Sequence, residues 1–328
     1  MDEENANPPT GADGAPGVNG TDGAGTEYAP PHTPTWLAFA MLASTALFWG
    51  GTTVAARAAA GDIPPLTLTF WRWAIAFVIF LPFGIRPWWR QRTLYLRHWK
   101  MMTGLSFLGI VGFTIFYFIG VQLTTGVNAS LMHGGTPIAI VVLSVVILRE
   151  KITRGEVVGI VLALTGVSTI VLKGDPSRLL QFAFNIGDIL VLLSMFSWAL
   201  YTIFLKWLPK GLGGSGLIFT LMALAVLMLA PFYAWDLAAG RSFEANAENI
   251  ALILYTAVFS SVLAYLFWNR GVATVGAKAA GFTNYLIPVV GMVGSLTILG
   301  EEAHPHHLFA IVLIFSGLYL ATRSRGHG

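Results

Sequence analysis

The sequence predicts an all-α integral membrane protein with ten transmembrane helices arranged as two inverted five-helix repeats. Three observations predict it. First, 55% of the 328 residues are hydrophobic and only 11% are charged, and the apolar residues run in stretches too long for helices of a water-soluble core. A bilayer core about 30 Å thick takes roughly 20 residues at 1.5 Å rise each, and within it every backbone amide must be bonded inside its own segment, so such stretches read as helices. Second, the chain repeats at an offset of 151 residues: Gly120, Pro137, Glu150 and Gly166 fall on Gly271, Pro288, Glu301 and Gly317. An upstream echo at an offset of 149 places Trp49 and Arg57 on Trp198 and Lys206. Third, Lys and Arg gather in alternate loops.

Residues 1–34 are rich in Gly, Pro, Asn and Asp and carry six acids (Asp2, Glu3, Glu4, Asp13, Asp22, Glu27) with no Lys or Arg. Such a segment cannot bury enough apolar surface to order itself and reads as a disordered acidic cytoplasmic tail. It also lacks the basic start of a cleavable signal peptide, so the first apolar segment is expected to stay in the mature protein. The apolar segments then follow at 35–58, 64–83, 100–121, 126–148 and 153–172, a first unit over 35–172. An extracytoplasmic connection over 173–185 leads to segments at 186–208, 214–235, 249–270, 276–299 and 305–322. These make a second unit over 186–322, followed by a short cytoplasmic tail at 323–328.

Loop charge sets the orientation. One side collects Arg86, Arg90, Arg92, Arg97, Lys100, Arg149, Lys151, Arg154, Lys206, Lys210, Arg270, Lys278, Arg323 and Arg325, whereas the other has Arg57, Lys173, Arg178 and Arg241. The first side is read as cytoplasmic, with both termini on it, in a cell inner (plasma) membrane. Five helices are an odd number, so the second unit must run upside down relative to the first. The charges agree. "LREK" (148–151) ends the fourth segment on the basic side, and its counterpart "LGEE" (299–302) has Gly300 and Glu302 in place of Arg149 and Lys151. Inverted repeats suit a carrier that exposes one site to two sides in turn, because each half can take the conformation the other has left.

Composition removes other functions. The chain has no cysteine, which excludes disulfides, thiol catalysis and thiolate metal sites. Its net charge of +3 comes from residues between apolar segments rather than along one face, so no nucleic-acid partner is expected. There is no phosphate-cradling Gly loop, no Ser/His/Asp set and no nucleotide motif, so neither a cofactor nor an enzymatic activity is expected. "EEAHPHH" (301–307) matches no familiar zinc spacing, and no metal is expected there. Gly155, Gly159 and Ala163 form a small-residue stripe that packs against a neighbouring helix more readily than in a dimer. The expected partners are the bilayer and a small-molecule solute, with the chain a monomer or weak homodimer.

Several residues stand out as solute contacts. Pro137 and Pro288 lie near the centres of the fourth and ninth segments, where each should kink its helix and free a carbonyl, as paired gating elements. One turn before them lie His133 and its counterpart Asn284, followed by Tyr285; polar groups at that depth are costly unless they face a cavity or a partner. Trp49, Tyr117, Trp198, Tyr201, Trp268 and Tyr285 lie well inside segments or pair across the repeat, Trp49 with Trp198 and Tyr117 with Trp268. As a set they would line a cavity suited to flat apolar or aromatic solutes. Trp36, Trp88, Trp89, Trp99, Trp207 and Trp235 sit at segment ends, where the interfacial belt accounts for them.

"FWGGTTVAARA", "LTFWRWAIAF", "TPIAIVVLSVVILREKIT", "IGDILVLLSMFSWALYTIFLK" and "YLFWNRGVATVGAKAAGFTNYLIPVVGMVGSLTILGEE", with Gly317, resemble the ten-helix EamA-type members of the drug/metabolite transporter superfamily over residues 36–322. The resemblance implies a secondary transporter, often an exporter of amino acids or related small metabolites, sometimes of drugs. It does not extend to the membrane-embedded Glu that small multidrug relatives carry in their first helix, because the first segment here has no acid. A second reading is an organic-anion or sugar-conjugate exchanger, which needs buried positive charge from Arg72 and Lys278. A channel or membrane receptor is a third. Arg72 sits eight residues beyond Pro64, about 12 Å along the axis, and is placed to pair with Asp188 or to receive a solute carboxylate.

Overall fold

The computed structural model describes residues 33–58, 63–124, 134–181, 185–298, 302 and 304–323, and the apolar stretches within them are largely helical, with turns at 134–135 and 284–285. The elements in order are α1 (Thr35–Ala58), α2 (Pro65–Arg90), α3 (Arg92–Arg97), α4 (Trp99–Ser106), a first π-helical segment (Phe107–Gly112), α5 (Phe113–Leu123), α6 (Thr136–Leu148) and α7 (Arg154–Val171). After a 3-10 turn (Pro176–Gln181) come α8 (Ile186–Phe204), a second 3-10 turn (Leu205–Trp207), α9 (Gly214–Ala238) and α10 (Ala247–Tyr255). A second π-helical segment (Thr256–Leu263) leads to α11 (Ala264–Val275), α12 (Ala277–Thr283), α13 (Leu286–Ile298) and α14 (Pro305–Arg323). Among the described residues there is no strand.

Eight helical runs among the described residues are long and apolar enough to cross a membrane: Pro65–Arg90, Trp99–Gly120, Arg154–Val171, Ile186–Trp207, Gly214–Ala238, Ala247–Val275, Ala277–Ile298 and Pro305–Arg323. Thr136–Leu148 is apolar but shorter. Their outer faces agree with a lipid solvent. Val78, Phe83, Val146, Leu227 and Leu308 are each about two-thirds exposed, at 67–69%, which only hydrocarbon surroundings make inexpensive. The protein is a multi-span membrane protein.

Two local expectations are corrected. The second segment does not end at residue 83; α2 runs through Pro82 and Pro87 to Arg90, and α3 follows at once, so much of the basic loop is helical. Proline inside a membrane helix is tolerated because side chains, water or local adjustment of the helix satisfy the carbonyls it frees. The fourth and ninth segments are not continuous helices with a central kink. A turn at Asn284–Tyr285 separates α12 from α13, and α6 begins at Thr136. Pro137 therefore opens α6 and Pro288 lies in the first turn of α13. There the missing N–H would have had no intrahelical acceptor anyway, so proline starts a half-helix instead of bending a whole one.

Helix starts are fixed by short polar devices. Thr153 and Glu156 form a reciprocal capping box on α7, and Asn185 with Asp188 does the same on α8. The principal packings are α7 on α14, α2 on α9, α5 on α8, α11 on α1, α13 on α1 and α6 on α8. Replacing each element by the one 149–151 residues away leaves this pattern unchanged: the first two pairs map onto themselves, and the other four exchange in pairs. The π segments match as well, since 107–112 plus 151 gives 258–263, inside Thr256–Leu263.

Glycine makes the closest crossings possible. A Cβ on Gly159 would lie 2.5 Å from the Gly317 carbonyl, and one on Gly317 would lie 2.5 Å from that of Gly159. The small-residue stripe of α7 thus packs on α14 inside the bundle. Gly120 and Gly187 make the same reciprocal contact between α5 and α8, at 2.9 and 2.6 Å.

Candidate functional site

Rings from four helices meet where α1, α8 and α11 pack together beside α2. Trp49, Trp198 and Trp268 form a triangle of indoles with centroids 5.1, 5.4 and 5.6 Å apart. Trp198 lies 5.2 Å from Tyr201 and 5.8 Å from Phe113, which stacks on Tyr117 at 6.1 Å. Of the residues singled out by sequence, Trp49, Trp198 and Trp268 are in mutual contact, Tyr201 joins through Trp198 and Tyr117 through Phe113. The rings pack on one another, each pair adding about 0.5–1.5 kcal/mol beyond area burial.

Sequence reasoning missed Tyr265, Trp73 and Asn269. Tyr265 sits 4.9 Å edge-on to Trp73 and 5.7 Å from Trp198, and Asn269 accepts from the Tyr201 hydroxyl at 2.7 Å. The spacing of Tyr265, Trp268 and Asn269 (i, i+3, i+4) would have shown one helix face. No sequence signal marks the π segments, which brace the cluster. Widening to i→i+5 bonding leaves carbonyls available to side chains. Tyr265 donates to the Gly109 carbonyl at 2.5 Å, Ser197 to Leu108 at 2.8 Å, and Trp49 Nε1 to Ser260 at 3.1 Å. Gly109 and Ser260 are 151 residues apart, so the two copies present corresponding carbonyls to the same cluster. Ser260 also shares a hydrogen bond with the Thr52 hydroxyl.

The other sequence candidates lie elsewhere. Tyr285 is buried with Val141, Ala163, Val167 and Phe282 in a second cluster, its hydroxyl without a hydrogen-bond partner. Asn284 is buried beside it at the helix break. His133 lies outside the described residues. Arg72 lies over the Trp73 ring, its Cζ 5.2 Å from the centroid.

The expected Arg72–Asp188 pair is absent among the described residues. Asp188 is fully buried as the capping acid of α8, accepting from the Asn185 backbone N–H at 2.7 Å and from Thr124 at 2.5 Å. Those bonds hold its carboxylate at the end of α8, and Arg72 takes an aromatic face instead. Lys278 is also not a free cation. Its ammonium donates to both Glu156 oxygens, at 3.0 and 3.1 Å, and to the Lys151 carbonyl at 2.7 Å, with both charged side chains buried. Glu150, Lys151, Thr153, Glu156, Val275, Gly276 and Lys278 line a cavity of about 300 Å³. A larger cleft of about 510 Å³ at the start of α2 is lined by Pro64, Leu66, Ile119, Phe232, Trp235 and Asp236, among others. There Asp236 bonds Thr67 at 3.0 Å and pairs with Arg241 at 2.8 Å.

An exposed apolar jacket around partnered buried charges, interrupted helices and a central ring cluster define the class as a multi-span membrane transporter. The chain belongs to the EamA-like transporter family, whose model matches it twice, over residues 35–172 and 185–323. The family consists of membrane transporters and not enzymes. The chain is 26% identical over 292 residues to the "Uncharacterized transporter YyaM" of Bacillus subtilis, covering 87% of this chain and 93% of that one. It is 25% identical over 282 residues to the "Probable amino-acid metabolite efflux pump" of Salmonella typhimurium, covering 83% and 90%. A crystal structure shares the fold, with a TM-score of 0.73 at 17% identity over 89% of this chain and 99% of that one.

Proposed function

We propose that the protein is a secondary carrier that exports amino acids or related small metabolites, aromatic ones included, by alternating access. In this reading ten helices span an inner (plasma) membrane as two inverted repeats, 35–172 and 186–322, with both termini in the cytoplasm. One observation carries it: the packing pattern is unchanged when the two copies are exchanged, and Trp49 touches Trp198, its own counterpart. A residue in contact with its counterpart lies at the axis relating the copies, where a site shared by both halves belongs. The efflux-pump relative supports the direction and solute class, and the ring cluster suits flat solutes. The exchanger alternative loses one of its two cations, since Lys278 is neutralised by Glu156.

The test is counterflow of labelled solute by the full chain in proteoliposomes. A carrier gives saturable counterflow, a channel gives conductance, and a receptor gives neither. Within that assay Pro137→Ala and Pro288→Ala should each slow transport while the protein stays folded in membranes, because alanine lets a helix extend into the break that proline enforces. Wild-type rates in both single variants and in the double variant would remove the breaks from the mechanism.

Pathway lining is tested separately. The chain has no cysteine, so a thiol placed singly at His133, Asn284, Tyr285, Trp49 or Trp198 reports without background. Each position is expected to react with a water-soluble thiol reagent during turnover, with solute protecting it. Absence of labelling at all five would place them in dry core or lipid.

A further inference from the structure

Four buried nitrogens around the ring cluster have no hydrogen-bond partner among the described residues: Arg72 Nε, Trp73 Nε1, Trp268 Nε1 and Asn269 Nδ2. Trp73 and Trp268 are wholly buried. Trp73 joins the cluster through Tyr265 and supports Arg72 on its ring, while Asn269 is tied to it through the Tyr201 hydroxyl. A buried donor left unmade is costly, and native interiors satisfy nearly all of theirs. All four of these are N–H donors, and one belongs to a permanent cation. The acceptors nearby are in use: Gly109 O by Tyr265, Ser260 O by Trp49, and Asn269 Oδ1 by Tyr201.

Among the described residues no acid balances them. The buried acids among the described residues are Glu156, Asp188 and Asp236. Lys278 holds the first, the α8 cap and Thr124 hold the second, and Arg241 with Thr67 holds the third. A solute ammonium at the rings would find only neutral groups such as the Thr52 and Ser260 hydroxyls, whereas an anionic oxygen would find unused donors and a guanidinium. Burying an unpaired charge costs far more than burying a paired one.

We infer that the ring cluster binds its solute through a carboxylate set against Arg72 where it lies on the Trp73 ring, with a flat apolar body against the indoles. A solute carrying only a positive charge is rejected. This rests on the carrier reading for its role in transport but not for the binding itself. Arg72 is then a specificity-determining residue, because its fork matches a carboxylate and no acid among the described residues pairs with it.

Three probes with one phenyl body isolate the charge: 3-phenylpropionate, phenylalanine and 2-phenylethylamine. Binding to the purified full chain is read from tryptophan fluorescence, which the indole triangle should dominate, and counterflow is read in proteoliposomes. The expected order is 3-phenylpropionate, then phenylalanine, then 2-phenylethylamine, with the amine at least about tenfold weaker than the first, and Arg72→Gln should weaken 3-phenylpropionate about 10- to 100-fold while leaving the amine unchanged. Arg72→Lys should recover part of the loss. The wild-type order requires no variant to fold. Equal or tighter binding of the amine, or no binding of any probe, overturns the inference. Counterflow that prefers the amine overturns it while leaving the carrier reading intact. Binding in the expected order without counterflow of any solute upholds the site and removes the carrier.

Discussion

Glu156→Gln is expected to destabilise the protein by about 3–5 kcal/mol, the usual cost of removing one partner from a buried ion pair. Lys278 has three acceptors, two of them the carboxylate oxygens of Glu156, and its side chain is only 5% exposed. With Gln in place the ammonium keeps the Lys151 carbonyl and one side-chain oxygen, but it loses the second acceptor and the charge that compensates its burial. Lys278→Met should cost a similar amount from the other side, leaving the carboxylate its Thr153 contacts but not the ammonium. The Glu156→Leu/Lys278→Met double variant should recover most of the loss, since matched apolar replacements of buried pairs are often close to neutral. Thermal unfolding of the solubilised protein provides the measurement. If Glu156→Gln melts with the wild type, the adjoining 300 Å³ cavity hydrates the ammonium well enough to replace the carboxylate.

The pair joins the two copies, Glu156 in the first and Lys278 in the second, and the repeat does not reproduce it. The 151-residue offset places Val127 opposite Lys278 and His307 opposite Glu156.

Gly317→Ala is expected to be the other severe change, and Gly159→Ala its match. At Gly317 a Cβ would meet the Gly159 carbonyl at 2.5 Å and the Ala163 backbone nitrogen at 2.8 Å. Both obstacles are main chain on a rigid helix, so α7 and α14 must move apart along their whole contact. Overpacking of this kind costs about 1–3 kcal/mol where side chains can adjust, and backbone atoms cannot. Gly291→Ala supplies the control, because nothing lies within 4 Å of a Cβ there. The measurement is the thermal midpoint of each variant. A melt of Gly317→Ala indistinguishable from that of Gly291→Ala would show that the crossing has slack.

How far each feature could be read from sequence depended on whether its cause was local. The membrane-spanning helices were readable because a bilayer demands backbone bonding inside each apolar stretch, a condition that composition alone reveals. The repeat was readable because Gly120, Pro137 and Gly166 recur on Gly271, Pro288 and Gly317. Proline also marked the right places, though for half-helix starts and not kinks: whether a helix resumes on the far side of a proline depends on what its neighbours can satisfy. Trp49, Trp198, Tyr201 and Trp268 were found by position along their segments, whereas Tyr265, Trp73 and Asn269 were not.

The sequence by itself determined the solvent, the helices, the duplication and the family, because each follows from patterns along the chain. Charge partners belong to the tertiary structure. Arg72 and Asp188 looked suited to one another by depth, yet Asp188 is bound into the cap of α8 and Arg72 lies on Trp73. Lys278 resembled a loop cation until α7 brought Glu156 against it. A hydrogen bond or ion pair is decided within about 3 Å, whereas sequence periodicity places a side chain only to the nearest helix face and turn, and packing decides between them.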